Sequence, residues 1–73
     1  MKEYYVKSYY CASYLMAHGI IPSRIETTPT GKRIFYYEDR EAACALADEF
    51  FGNSELQSFV GGCVAMKRAM FGE

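Results

Sequence analysis

KRIFYYED, residues 32–39, is the stretch from which the fold can be built. Two basic residues lead into β-branched and aromatic positions whose side chains alternate, Ile34 and Tyr36 against Phe35 and Tyr37. Both faces are apolar or aromatic, which predicts a strand with neighbours on either side rather than an edge strand. Glu38 and Asp39 close the run, and Asp39 is placed to cap a helix over Arg40–Phe51. In that helix Ala43, Leu46, Ala47 and Phe50 recur at helical spacing, Arg40, Glu41, Asp48 and Glu49 supply a charged face, and Gly52 ends it.

Upstream, Pro29, Thr30 and Gly31 carry turn chemistry, so IIPSRIETT, residues 20–28, is expected to form a hairpin with the central strand. Pro22 cannot donate to a ladder, which assigns that second strand to the sheet edge. EYYVKS, residues 3–8, reads as a first strand with Tyr4 and Val6 on one face and Tyr5 and Lys7 on the other. Ser8 then caps a helix over Tyr9–His18 that stops at Gly19, a residue suited to the left-handed conformation. Downstream, Ser54 and Gln57 have capping-box spacing and start a third helix running toward Phe71.

The order is β-α-β-β-α-α. It predicts a single α+β domain over residues 1–73, a three-stranded mixed sheet with helices packed on one face, and strands one and two parallel to each other. In the third helix Leu56, Phe59, Cys63, Met66 and Met70 follow a three-four spacing and are expected to pack into the core, a dimer seam being the alternative. Gly61 and Gly62 should each cost about 1 kcal/mol relative to alanine, which predicts a close approach there by another element.

A chain of 73 residues makes one domain. At this size only roughly 60% of the unfolded surface is buried, so the core is marginal. A hydrophobic content of 51% excludes intrinsic disorder, and a net charge of −1 gives no global attraction to phosphate backbones or anionic membranes. Cys11, Cys44 and Cys63 are odd in number and lack the CxxC spacing of metal or redox sites, so they read as small hydrophobes in a reducing cytoplasm. MKEYYVKSYY lacks the apolar run of a secretory signal, and no stretch approaches the roughly 20 apolar residues of a membrane helix.

No motif carries catalysis, a metal or a cofactor. His18 has no evident nucleophile or carboxylate partner and sits where it can cap a helix C-terminus. Glu38, Asp39 and Glu41 cluster where helix N-termini attract acids, and TPTGK, residues 28–32, lacks phosphate-loop spacing.

The remaining signal is aromatic. SYYCASYLMAHG, residues 8–19, holds three tyrosines and no formally charged side chain. Cys11, Ala12, Leu15 and Met16 form one stripe of that helix, expected to face the core. Tyr10, Tyr14 and Ala17 form another, expected to meet something else. Tyr9, Tyr10, Tyr14, Met66 and Met70 are therefore the candidate partner-binding residues, tyrosine suiting the role by its large amphipathic contact area and few rotatable bonds. The alternative is nucleic-acid binding through a basic and aromatic sheet face made of Lys7, Lys32, Arg33 and Tyr37, although Glu38 and Asp39 beside it would repel phosphate.

Tyr14, Leu15, Met16 and Gly19, together with Phe35, Tyr37 and Asp39, resemble the recurring features of a family of short proteins known only as a domain of unknown function. The resemblance covers roughly residues 4–51, while the Gly61-Gly62 helix departs from the family's pattern. It implies a setting in Gram-positive bacteria, their phages and mobile elements, where small accessory proteins bind host or phage proteins and some block defence nucleases. The combined expectation is a non-enzymatic, cytoplasmic interaction module, an anti-CRISPR-like inhibitor or a homodimer, with no cofactor and no membrane association.

Overall fold

The protein was analysed as a computed structural model, which describes residues 3–72. Strand β1 (Tyr4–Val6) is followed by helix α1 (Tyr9–Ala17), strands β2 (Arg24–Thr27) and β3 (Arg33–Tyr37), and helices α2 (Arg40–Gly52) and α3 (Ser54–Phe71). The expected α+β order is present, and β3 is the central strand of a β1-β3-β2 sheet. Both ladders are antiparallel, pairing Val6 with Phe35 on one side and Ile25 with Phe35 on the other. The sheet is therefore not mixed. β1 and β2 do run parallel, but β3 separates them and no parallel ladder forms.

Local chemistry sets each boundary. At the N-terminus of α1, Ser8 Oγ accepts from Cys11 N at 3.1 Å. At its C-terminus, Ile20 N reaches Leu15 O at 2.9 Å and Gly19 N reaches Met16 O at 3.0 Å, with Gly19 at φ 84°. This paired closure needs a left-handed residue, and it folds Ile20 back onto the core beside Leu15. The β2–β3 turn closes through Gly31 N to Thr28 O at 2.9 Å, with Pro29 at the second position and Gly31 at φ 87°. β2 is shorter than residues 20–28 because the paired segment begins only after Pro22, where Ser23 N donates to Tyr36 O at 2.7 Å.

Asp39 Oδ1 caps α2 by accepting from Ala42 N at 3.1 Å. The expected capping box of α3 does not form. Asn53, the single residue between the two helices, caps α3 by accepting from Leu56 N at 3.1 Å, which leaves Ser54 inside the helix. Gln57 instead turns back to α2, its Nε2 donating to Phe50 O at 2.7 Å. So short a hinge leaves α2's last carbonyls within reach, and their need for a donor takes the glutamine.

The core is a single cluster of Val6, Cys11, Ala12, Leu15, Tyr37, Ala43, Ala47 and Phe50. It lies between one face of the sheet and helices α1 and α2. Burial of Cys11 also raises its thiol pKa, as expected of a small core hydrophobe. α3 packs along α2 through Leu56 and Val60 and has no fully buried residue in its 18 positions.

Candidate functional site

Two large aromatics of α1 are used inside the molecule. Tyr10 and Tyr14 are half-buried and pack against the core cluster. The Tyr14 hydroxyl donates to Glu49 Oε1 at 2.5 Å, and its ring lies 5.4 Å from Phe50 and 4.5 Å from His18. That hydrogen bond to a carboxylate is the main reason the Tyr14 pKa stands above its ordinary value. Lys67 of α3 brings its Nζ 5.2 Å from the Tyr10 ring and 5.7 Å from the Tyr9 ring, within cation–π range. The second face of α1 thus meets the chain's own α2 and α3. The reason is volume: the buried face of α2 is built on Ala43 and Ala47, and large rings fill the space such small residues leave. Tyr9 remains 64% exposed. Met16, expected in the core stripe, is also an exposed residue.

A large uncovered apolar surface lies on α3. Phe59, Met66 and Met70 are 69%, 61% and 61% exposed. At 100° per residue they fall within an arc of about 40° on the helix. The expected core stripe therefore splits. Leu56 packs against the core, whereas Phe59, Met66 and Met70 face outward. A helix of 18 residues is about 27 Å long, and its residues from 65 onward are all exposed. Gly61 and Gly62 sit midway along it with nothing within 4 Å of an added Cβ, so the close approach expected of them is not made among the described residues. From Leu56 to Met66 the helix bears no charge.

Lys7, Lys32 and Arg33 border one open depression at the turn end of the sheet, beside Thr28 and Thr30. Tyr37 does not join them. It is 1% exposed on the helix-covered face, where its alternation with Tyr36 directs it, and burial raises its pKa. The uncovered sheet face carries Tyr5 and Tyr36 instead, which lie 6.0 Å apart. Arg24 stacks 4.0 Å from the Tyr36 ring and pairs with Glu3 and Glu26, while the Tyr36 hydroxyl donates to Glu26 at 3.1 Å. The sequence signal for this network was the alternation of charges in Arg24, Ile25 and Glu26 opposite Tyr36, which strand register alone converts into contacts. Its two carboxylates oppose a phosphate ligand.

Among the described residues no three His, Cys, Asp or Glu side chains are grouped to hold a metal ion. No helix among them is long and apolar enough to cross a membrane.

The geometry defines a small β-α-β-β-α-α domain with an antiparallel sheet and a projecting, apolar third helix. The chain belongs to the family described as Domain of unknown function (DUF5659), matched over residues 1–72. The match takes in α3, which extends the resemblance read over residues 4–51 to the helix that had looked divergent. No curated protein and no solved structure matches the chain.

Proposed function

We propose that this domain is a non-enzymatic protein-interaction module that docks through the outward face of α3, with Phe59, Met66 and Met70 as anchors. The observation that carries this reading is an apolar helix face with no cover of its own. Phe59, Met66 and Met70 are each 61% or more exposed. A water-exposed surface of this composition marks an interaction site. Gly62, about 60° round the helix from Phe59, adds a place beside this face where a partner's backbone can approach closely, whereas Gly61 lies about 160° away. Methionine suits such a surface because its flexible thioether adapts to the partner.

The proposal includes a reducing, cytoplasmic setting, consistent with three free thiols at Cys11, Cys44 and Cys63. It includes a bacterial or phage protein as the partner, in the manner of small inhibitors of defence nucleases, with support from the family resemblance alone. Of the earlier candidates, Tyr9 stays available beside Lys67 of α3, Tyr10 packs against the core with Lys67 near its ring, and Tyr14 is held against α2 by Glu49 and Phe50. The nucleic-acid reading keeps Lys7, Lys32 and Arg33 but has lost its stacking residue, Tyr37.

The test is a nuclease-treated pull-down comparing the native chain with Phe59→Ser/Met66→Ser/Met70→Ser. Because these side chains are exposed, circular dichroism should show the triple variant folded. A specific protein held by the native chain should be lost from the variant. Equal retention by both, with the variant folded, sinks the α3 reading.

A further inference from the structure

The edge strand β2 has one free side. Among the described residues its one ladder partner is β3, so its outer edge presents backbone N–H and C=O groups with no strand beside them, and all four of its residues are exposed. On the helix-covered side of the sheet, α1 stops short of it. Tyr9, Met16, Pro22, Ile25 and Phe35 line an open groove of about 290 Å³ between α1 and β2, with no charged side chain in its wall. Met16 and Ile25 are 51% and 53% exposed there.

Toward the β2–β3 turn the surface changes character. A second depression shares Tyr9, Ile25 and Phe35 with the groove and adds Lys7 and Arg33. A third, of about 390 Å³, is bordered by Lys7, Lys32 and Arg33 with the hydroxyl-bearing Thr28 and Thr30. No carboxylate among the described residues lines any of these three depressions. Among the described residues Lys7, Lys32 and Arg33 make no ion pair, whereas Arg24 makes two on the opposite face. One continuous path therefore runs from an open strand edge with an apolar trough to a cluster of three uncompensated cations.

We infer that this edge receives an extended peptide segment that is apolar along β2 and acidic at the end nearest the β2–β3 turn. Such a segment adds a fourth strand through main-chain hydrogen bonds. Its alternate side chains, spaced by the two-residue period of a strand, enter the groove over Ile25 and Met16. Its carboxylates meet Lys7, Lys32 and Arg33, which sets the register. Charge complementarity names the acidic end, and the uncharged trough favours β-branched side chains over nucleotide bases. Tyr9 borders both this surface and Lys67 of α3, but none of Phe59, Met66 and Met70 lines it, so substitutions at those positions separate the two docking sites.

The test is selection of a displayed random dodecapeptide library on the immobilised full chain. Enriched sequences should place Asp or Glu beside an alternating β-branched stretch. A synthetic copy of the leading peptide should bind at least tenfold more weakly to Lys7→Glu/Arg33→Glu and to Met16→Glu, and unchanged to Phe59→Ser. It should also shift the amide resonances of Ile25 and Thr27. The substituted positions are exposed, and the milder Arg33→Gln serves if charge reversal perturbs folding. Absence of enrichment, enrichment without acidic residues, shifts confined to α3, or tighter binding of a fifteen-residue thymidine oligonucleotide than of any peptide each overturn the inference.

Discussion

At the residue scale the tyrosines divide by what their hydroxyls meet. Tyr37 is buried at the centre of the core, and its hydroxyl finds no hydrogen-bond partner among the described residues. An unmet buried hydroxyl carries a desolvation cost of about 1–3 kcal/mol, so Tyr37→Phe should be neutral or stabilising. In a chain this small each 1 kcal/mol gained raises Tm by about 4–8 °C. A lowered Tm in a thermal melt would show that the hydroxyl holds a partner such as a buried water. Tyr4, Tyr14, Tyr36 and Tyr37 all have pKa values raised above the ordinary phenol. Burial is the leading cause for Tyr4 and Tyr37, and a hydrogen bond to Glu49 or Glu26 for Tyr14 and Tyr36. A phenol with a higher pKa in the folded chain binds its proton more tightly there, so its contribution to stability is complete below about pH 10 and is lost as pH rises through the folded value. Urea midpoints should therefore fall as pH rises above about 10, and less steeply in Tyr14→Phe, which has no phenol at position 14 to ionise. Identical slopes for the two chains would remove Tyr14 from this account.

At the element scale, the elements whose ends are marked by local chemistry were legible in the sequence. Ser8 and Gly19 bracket α1, Asp39 opens α2, and Pro29 with Gly31 turns β2 into β3, each by satisfying or sparing backbone groups within a few residues. The alternation in Ile34–Tyr37 likewise placed β3 at the centre of the sheet. The start of α3 was misread because Ser54 and Asn53 are both good caps, and only the single-residue hinge after α2 decides between them. The exposure of its stripe was illegible for a different reason. Three-four spacing states that a helix has an apolar face, but whether anything covers that face depends on how much surface the remaining elements have to offer. Gly61 and Gly62 make the distinction measurable. With open space where their Cβ atoms would lie, Gly61→Ala/Gly62→Ala should stabilise the isolated chain by about 1 kcal/mol per site through helix propensity. The Gly62→Ala change alone should weaken partner binding if the partner's backbone seats beside the Phe59 face. Destabilisation on denaturant unfolding would instead mean that α3 packs closely on its own domain.

At the scale of the whole molecule the chain is a slab of 42 × 32 × 16 Å with a radius of gyration of 13.4 Å. A compact domain of this length would measure about 11 Å. Its accessible surface of 5515 Å² exceeds by roughly 900 Å² what a folded monomer of this mass exposes, about 4,600 Å². The surplus is close to the roughly 800 Å² that one partner contributes to a standard protein interface. An undersized core and a surplus of surface have the same origin, because α3 reaches the core only through Leu56 and Val60 and leaves residues 65–72 exposed. Anything that binds the folded state through that surface stabilises the fold by mass action. If the occupant is a second copy of this chain, Tm should climb with protein concentration, and sedimentation should show a monomer–dimer equilibrium that Met66→Ser shifts toward monomer. If it is a different protein, Tm should stay constant from micromolar to near-millimolar chain and rise only when that partner is added, with the same variant abolishing the rise. A constant Tm together with a partner-induced rise that survives Met66→Ser would move the docking surface off α3, leaving the β2 edge as the place where this domain meets its partner.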